Sequence, residues 1–389
     1  QGQGREFFGP VFRCVSFGDC AMADKSLPLQ LAGLAAAAAL GAAGMAMYQA
    51  SKAKAEAAGE DEPLATDVDR SKERIVLVTG GSGLVGKGIE AFLKSDQEAM
   101  KNESWKFLSS KDGDLRSRED TERVFRRYRP THVIHLAAKV GGLFANMNEK
   151  VEFYRENVLI NDNVMECCRI FKVQKLVSCL STCIFPDKTS YPIDESMVHN
   201  GPPHVSNEGY AYAKRLIDVM NRCYSDEYGC KMTAIIPTNI YGPHDNFSIK
   251  NGHVIPSLIH KAYLAKQTGG DFNIWGSGTP LRQFIFNQDL GALTVWVMRD
   301  YDEPDPIILS VPEDDEVSIR DVALMVAEAS GLPMEQVKFD TTKADGQFKK
   351  TACNDKLKGL RPDFKFKPIR EGIQEAVDWF AANFDKARK

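Results

Sequence analysis

Short apolar runs rich in β-branched residues recur through the middle of the chain, beginning with Ile75–Thr79. Runs of this kind, bounded by glycine or polar residues, are typical of strands buried on both faces of a parallel sheet. Longer segments with helical spacing of their apolar positions lie between them, for example Arg118–Tyr128 and Glu149–Phe171. The further predicted strands are Phe107–Ser110, His132–Ala138, Lys175–Ser181 and Met232–Pro237. This alternation predicts an α/β fold with a doubly wound parallel sheet and right-handed crossovers.

The pattern loosens after Pro243 into short strands, Phe272–Trp275 and Ile307–Val311, and scattered helices. A last helix from about Pro368 carries an apolar stripe made of Ile369, Ile373, Val377, Phe380 and Phe384. We therefore expect a dinucleotide-binding domain over residues 73–243. Residues 244–389 would form mainly a smaller, discontinuous α/β lobe that binds the substrate, with interleaved boundaries.

Residues 1–72 differ in texture from the rest and are expected to be a leader or tether. Residues 27–48 are almost wholly apolar and include five consecutive alanines from Ala35. As a helix this stretch would span roughly 33 Å, about the thickness of a bilayer core. It is rich in Ala and Gly rather than Leu and Ile, so a membrane anchor, a targeting segment and a plain tether all remain open. Membrane contact is expected only through this stretch.

Composition excludes several classes of protein. The 389 residues carry 49 Lys and Arg against 53 Asp and Glu, with 43% hydrophobic residues. This balance argues against a disordered chain and against a nucleic-acid-binding protein. The nine cysteines include no CxxC pair, which favours reduced thiols in a cytoplasmic compartment over a disulfide scaffold. Because no His, Cys, Asp or Glu cluster has metal-ligand spacing, no metal site is predicted.

A glycine-rich turn, Gly80-Gly81-Ser82-Gly83-Leu84-Val85-Gly86, follows the first predicted strand and opens a helix. Gly80 would allow the tight turn, Gly83 the approach of a pyrophosphate, and Gly86 close packing of the helix on the sheet. The helix N-terminus would present free N–H groups to the phosphates. This arrangement predicts a Rossmann-type dinucleotide site.

The end of the second strand indicates which dinucleotide binds. A carboxylate there would bond the ribose 2′-hydroxyl of NAD and repel a 2′-phosphate. This chain has Ser109-Ser110-Lys111 instead, with no acid before Asp112. Hydroxyls and a cation suit a 2′-phosphate, so NADP is favoured over NAD. Asp114 and Leu115 would lie near the adenine.

Tyr210 and Lys214 stand in a YxxxK sequence on a predicted helix, which places phenol and ammonium on one face. The nearby cation would lower the pKa of Tyr210 toward that of a working proton donor. Ser181, at the end of a predicted strand, could donate to the carbonyl that Tyr210 protonates. Together these residues suit hydride transfer to a ketone. His135, inside an apolar strand, is expected to be a bonded core residue.

These features resemble the extended short-chain dehydrogenase/reductase family. Within it, five strings are similar to the GDP-L-fucose synthases: Ala137–Gly142, Ser181–Pro186, Pro237–Phe247, His253–Pro256 and Trp275–Pro280. The resemblance covers about residues 74–389 and not the leader. It implies a GDP-sugar substrate, NADPH as cofactor and a homodimer, for which the helix Glu149–Phe171 is a candidate interface. The reaction implied is epimerisation at carbons 3 and 5 of a 4-keto-6-deoxy-mannose, followed by reduction of the carbon-4 ketone.

The resemblance also assigns roles to matching positions. Cys183 and His253 would be the base and acid of epimerisation, and Ser181, Tyr210 and Lys214 would complete the catalytic set. A thiol and an imidazole can both exchange protons near neutral pH. The cofactor positions are Gly80–Gly86, Ser110, Lys111, Asp114, Leu115, Ala137, Ala138, Lys214, Pro237, Thr238, Asn239, Ile240 and His253. The substrate positions are Asn239, Lys261, Trp275, Arg282 and Asp345, with Lys350 as a further diphosphate contact.

Two other interpretations stay open from the sequence. A sibling nucleotide-sugar epimerase or reductase would keep YxxxK but would have no use for a Cys and His pair on opposite faces of a sugar. A catalytically idle, membrane-tethered scaffold would be expected to lack Ser181, Tyr210 or Lys214, and all three are present.

Overall fold

A computed structural model describes residues 63–97, 99–343, 345 and 348–389. The candidate anchor at 27–48 lies outside these residues. The helices are α1 (Leu84–Ser95), α2 (Arg118–Tyr128), α3 (Leu143–Asn148), α4 (Lys150–Ile170), α5 (Glu208–Tyr228), α6 (Val254–Thr268), α7 (Asn287–Asp300), α8 (Ile319–Ser330), α9 (Asp355–Leu360) and α10 (Ile369–Ala382). None of the described helices is long and apolar enough to cross a bilayer.

The strands form one large sheet and three two-stranded pairs. They are β1 (Arg74–Thr79), β2 (Glu103–Phe107), β3 (His132–His135), β4 (Lys175–Cys179), β5 (Met232–Pro237), β6 (Asn239–Tyr241), β7 (Phe272–Trp275), β8 (Leu281–Arg282), β9 (Phe284–Phe286), β10 (Ile307–Leu309), β11 (Val317–Ser318) and β12 (Val337–Asp340). The large sheet has the order β10-β5-β4-β3-β1-β2, and every neighbouring pair is parallel. The predicted doubly wound sheet is therefore confirmed. Its order reverses between β1 and β3, so a ligand crevice is expected at their carboxyl ends.

Two strand predictions were wrong, and both concern edges of the sheet. The second strand runs over Glu103–Phe107 rather than Phe107–Ser110. Most of its residues are only half-buried because it is an edge strand, so it lacks the continuous apolar run of a central strand. Ile307–Leu309, grouped from the sequence with the smaller lobe, pairs with β5 as the sixth strand of the large sheet.

The remaining elements build a second core beside the sheet. Parallel pairing of β7 with β12 and antiparallel pairing of β8 with β11 organise this region. Helices α6, α8 and α10 bury apolar side chains against one another, including Ile259, Val326 and Phe380, and Phe247 from the segment before α6 joins this core. Helix α8 begins with a capping box in which Ser318 and Asp321 satisfy each other's backbone N–H groups. The substrate-side positions of the sequence analysis lie on α6 (Lys261), on β6, β7 and β8 (Asn239, Trp275 and Arg282) and on the segment after β12 (Asp345 and Lys350).

Helices α1 and α7 touch backbone to backbone at Gly88 and Gly291. A Cβ atom on Gly88 would lie 2.0 Å from the carbonyl oxygen of Asn287. We expect Gly88→Ala to destabilise the fold by about 1–3 kcal/mol or more, because neither helix backbone can give way. The free energy of unfolding, measured in urea, checks this.

Gly359 offers the matched control, since it lies in helix α9 and a Cβ there would meet open space. Gly359→Ala should raise stability by about 0.4–1 kcal/mol because alanine restricts the unfolded chain. Equal stabilities for the two variants would contradict the close helix contact.

Candidate active site

The glycine turn lies between β1 and α1, at the carboxyl edge of the sheet. Gly80 has a φ of 66°, a conformation that favours glycine, and a Cβ there would lie 2.8 Å from the backbone nitrogen of Ala137. This turn and the one after β3 therefore lie in direct contact. Gly86 was predicted to allow close packing of the helix on the sheet. In the structure it packs against the turn instead, since a Cβ atom added at Gly86 would lie 2.2 Å from the Gly81 carbonyl oxygen.

The N-terminus of α1 fits a bound diphosphate. Its N-cap, Gly83, supplies no side-chain cap, and the first turn of the helix contains no acidic residue. The backbone N–H groups of this turn are therefore available to an anion, which the helix dipole also favours.

In the loop after β2, the first carboxylate, that of Asp112, is bonded within the loop itself. Asp112 accepts hydrogen bonds from the Ser109 N–H at 2.8 Å and from the Ser109 hydroxyl at 3.0 Å. Ser110 and Lys111 are exposed beside it. Asp114, predicted to lie near the adenine, is held by the Arg116 guanidinium, which lowers the pKa of that carboxyl. The exposed hydroxyl of Ser110 and ammonium of Lys111 thus suit a phosphate.

Helix α5 places Tyr210 and Lys214 on one face, next to the end of β4. Lys214 is only 2% exposed, and its ammonium donates to the carbonyl oxygen of Cys179 at 2.9 Å. The expectation that Lys214 lowers the pKa of Tyr210 was wrong in this structure. Burial raises the pKa of Tyr210 well above its usual value, and the neighbouring thiols of Cys183 and Cys179 add to this rise. The phenol therefore keeps its proton at neutral pH, which is the form that a proton donor needs.

Ser181 and Cys183 lie on the short 3₁₀ turn that follows β4. The Ser181 hydroxyl caps this turn by accepting from the Cys183 N–H at 3.4 Å. The partly exposed Cys183 side chain lines a cavity together with Tyr191, His204 and Lys350. Burial raises the pKa of the Cys183 thiol, while the cations of Lys350 and Lys214 and the Ser181 hydroxyl oppose that rise.

His253 is the N-cap residue of α6, but its side chain makes no capping hydrogen bond. The ring is accessible to solvent, and the protein around it still lowers its pKa by disfavouring the charged form. Within the described residues, no hydrogen bond joins this imidazole to Cys183 or Tyr210. The structure thus brings Ser181, Cys183, Tyr210 and Lys214 together and leaves His253 on a separate element.

An aromatic and cationic surface follows β7. The Lys261 ammonium lies 3.8 Å from the ring centroid of Trp275, whose side chain is 52% exposed. The carboxylate of Asp345 accepts from the N–H of Ser277 at 2.8 Å and from its hydroxyl at 2.6 Å. Arg282 is half-buried on β8, where burial lowers the pKa of its guanidinium.

The end of β5 offers polar groups toward the same edge of the sheet. The hydroxyl oxygen of Thr238 is buried and has no hydrogen-bond partner among the described residues. The exposed Asn239 side chain donates to the carbonyl oxygen of Gln283 at 2.9 Å. An orphaned buried hydroxyl beside the crevice fits a stretch that contacts a bound cofactor.

Sequence reasoning missed the residues that tie these parts together. His135 is buried as predicted, but it also bridges the Thr79 hydroxyl at 2.8 Å and the Asn161 side chain at 3.1 Å. Burial lowers the pKa of His135 to about 3, so the ring is neutral. Asn161 in turn donates to the Ala213 carbonyl oxygen beside Lys214. The only sequence signal for these hydrogen bonds is that polar residues such as His135 occur within apolar runs.

The chain belongs to the NAD-dependent epimerase/dehydratase family, whose pattern it matches over residues 76–311. It is 60% identical over 321 residues to the GDP-L-fucose synthase of Dictyostelium discoideum, covering 82% of this chain and 99% of that relative. It is 52% identical to the probable GDP-L-fucose synthase of Drosophila melanogaster, covering 81% and 99%. The crystal structure of a GDP-L-fucose synthetase from Naegleria fowleri bound to NADP aligns with a TM-score of 0.79 and 47% identity, covering 84% and 99%. The resemblance found in the sequence strings is confirmed.

Proposed function

We propose that this protein converts GDP-4-keto-6-deoxy-mannose to GDP-L-fucose, by epimerisation at carbons 3 and 5 and reduction of the carbon-4 ketone by NADPH. One observation carries the proposal: the Cys183 thiol lines a cavity and lies close enough to Tyr210 to raise the pKa of its phenol. A proton-accepting thiol and a hydroxyl donor at one site suit a reaction that first exchanges protons and then reduces. The identity with relatives named GDP-L-fucose synthase supports it.

The cofactor would be held along the carboxyl edge of the sheet. Residues 80–86 would bind the diphosphate, while Ser110 and Lys111 would bind the 2′-phosphate. Asp114, Leu115, Ala137 and Ala138 would line the adenosine half, and Lys214, the stretch 237–240 and His253 the nicotinamide half. NADPH, when bound, supplies the hydride for carbon 4.

Epimerisation needs a base on one face of the sugar and an acid on the other. Cys183 would take the proton from the carbon next to the ketone, and the electrons of that C–H bond would pass to the ketone oxygen. Ser181 and Tyr210 would donate hydrogen bonds to this enolate oxygen. His253 would return a proton from the opposite face. The thiol and the imidazole would then exchange with solvent and be ready for the second centre.

Reduction would use the same hydroxyl groups. Tyr210 would give its proton to the carbon-4 oxygen as hydride arrives, and Ser181 would keep that oxygen in place. Lys214, buried beneath Tyr210, would orient the ribose of the cofactor. On the substrate side, Trp275 and Lys261 would offer a surface to the nucleotide, with Asn239 and Asp345 as further contacts, and Arg282 and Lys350 would face the diphosphate.

The product sugar tests the function directly. Incubation with GDP-4-keto-6-deoxy-mannose and NADPH should give GDP-L-fucose, identified by nuclear magnetic resonance. A sibling reductase would give a 4-hydroxy sugar with the configuration at carbons 3 and 5 unchanged, and that product would refute the proposal.

The exposed Lys111 gives a test of cofactor preference. We expect Lys111→Glu to lower the kcat/KM ratio of NADPH over NADH by about tenfold or more, because a carboxylate repels the 2′-phosphate and bonds a 2′-hydroxyl. Steady-state rates with both cofactors measure this. Lys101→Glu, which adds a carboxylate before β2, is the control. An unchanged ratio in Lys111→Glu would remove Lys111 from the 2′-phosphate site.

Two helices expose apolar side chains that could form the homodimer interface expected from the family resemblance. Apolar side chains are exposed along α4, with Val151 at 69%, and along α5, with Val219 at 37%. We propose that a second copy of the chain covers these helices. Val151→Glu should lower the mass measured by light scattering from dimer to monomer, whereas Met334→Glu, on another exposed surface, should not. A monomeric wild-type protein would contradict this interface.

We place the catalytic part in the cytoplasm. All described cysteines are free thiols, as expected of a reducing compartment. Within the described residues, no group of His, Cys, Asp or Glu suits a metal ion, and the proposed chemistry uses none.

A further inference from the structure

The backbone that directly follows Lys350 is held by hydrogen bonds. The carbonyl oxygen of Thr351 accepts from the backbone N–H of Ile193 at 2.9 Å. The buried Gln283 side chain brackets Ala352, accepting from its N–H at 2.8 Å and donating to its carbonyl oxygen at 3.0 Å. A side chain that follows from such an anchored segment has a defined direction.

That direction is toward Cys183. Lys349 and Thr351 both turn to Glu316, with N···O distances of 3.9 Å for the lysine and an O···O distance of 2.6 Å for the threonine. Because side chains alternate along an extended backbone, Lys350 points the opposite way. Lys350 lines the same cavity as Cys183.

We propose that Lys350 is a positioning residue for epimerisation, whose ammonium stabilises the thiolate of Cys183 and so makes this side chain a usable base. The inference deepens the proposed function and rests on it. A buried thiol resists ionisation unless a cation lies nearby. Among the groups that lower the pKa of Cys183 against burial, Lys350 contributes most. The Cys183 thiolate in turn raises the pKa of Lys350, which burial and Arg282 lower.

Other groups around the thiol do not replace this cation. The Lys214 ammonium donates a hydrogen bond to the Cys179 carbonyl oxygen, whereas no hydrogen bond of the Lys350 ammonium is found within the described residues. The remaining titratable or charged neighbours are Tyr210 and Arg215 on α5, and Asp187, Tyr191 and His204 along the cavity. Asp187 and His204 lie 3.9 Å apart and offset each other when the imidazole is protonated.

The test titrates the thiol directly. Free wild-type protein and its Lys350→Met, Lys350→Arg and Lys349→Met variants are alkylated with iodoacetamide from pH 6 to 10, and labelling of Cys183 is followed by peptide mass spectrometry. In Lys350→Met the midpoint should rise by about one to three pH units, with labelling at pH 7.5 slowed by about tenfold or more. Lys350→Arg should follow the wild type, and so should Lys349→Met, which removes the neighbouring lysine.

Two results would overturn the proposal. One is a Cys183 titration in Lys350→Met that superimposes on the wild type, even if the KM for the GDP-sugar rises; Lys350 would then be a diphosphate contact only. The other is an equal shift in Lys349→Met, which would indicate a general charge effect. NADPH binding and the melting temperature establish that each variant is folded. No nucleotide sugar is present in the titration, so its outcome is separate from failure of the proposed reaction.

Discussion

Replacing Cys183 with serine is expected to stop proton exchange at carbons 3 and 5 of the substrate while NADPH still binds. Loss of a positioned base costs about 10²–10⁴-fold in rate, and a serine hydroxyl is not ionised at neutral pH. The substitution changes one atom in a side chain that lines the cavity, so packing is retained. Incorporation of deuterium from solvent, followed by mass spectrometry, measures the effect.

Cys223→Ser is the matched control, because Cys223 is an exposed thiol on α5. It should exchange protons at the wild-type rate. If Cys183→Ser also exchanged normally, another group would be the base, and the epimerase half of the proposed function would lose its main support.

Tyr210→Phe should remove reduction and spare part of the exchange. The phenol proton has no substitute at the carbon-4 oxygen, so NADPH oxidation should fall by about 10²–10⁴-fold. Ser181 still donates to the enolate oxygen, so deuterium should enter carbons 3 and 5 at a lowered but measurable rate. Absorbance at 340 nm follows the first step, and mass spectrometry follows the second.

Tyr212→Phe is the control for this variant, since Tyr212 lies on the same helix and its ring packs under the Arg215 guanidinium at 5.4 Å. Its NADPH oxidation should match the wild type. Full turnover by Tyr210→Phe would mean that a different group protonates the sugar oxygen.

The parts of the fold that could be predicted are those governed by local rules. The strand Ile75–Thr79 and the turn after it follow from β-branched residues and from a φ that favours glycine at Gly80. The predictions that were wrong concern the two edge strands of the sheet, namely the bounds of β2 and the assignment of β10 to the smaller lobe. Half-buried β2 lacks the continuous apolar run of a central strand, and β10 has only three residues.

Local sequence patterns predict part of the arrangement of the candidate site but not its electrostatics. The YxxxK spacing places Tyr210 and Lys214 on one face, yet it does not reveal that Lys214 is buried and bonded to the Cys179 carbonyl oxygen. Burial therefore raises the pKa of Tyr210, against the expectation from spacing. The approach of Lys350 to Cys183 depends on the hydrogen bonds that Gln283 and Ile193 make with the backbone of residues 351 and 352. Such long-range contacts leave no signal in local sequence patterns.

In the proposed reaction, one site exchanges protons at carbons 3 and 5 and then delivers a proton during reduction. The most direct measurement is turnover of GDP-4-keto-6-deoxy-mannose with NADPH in deuterium oxide, with the product analysed by nuclear magnetic resonance. We expect GDP-L-fucose with deuterium at carbons 3 and 5 and ordinary hydrogen, from the cofactor, at carbon 4. A reduced sugar that retains ordinary hydrogen at carbons 3 and 5 would contradict it.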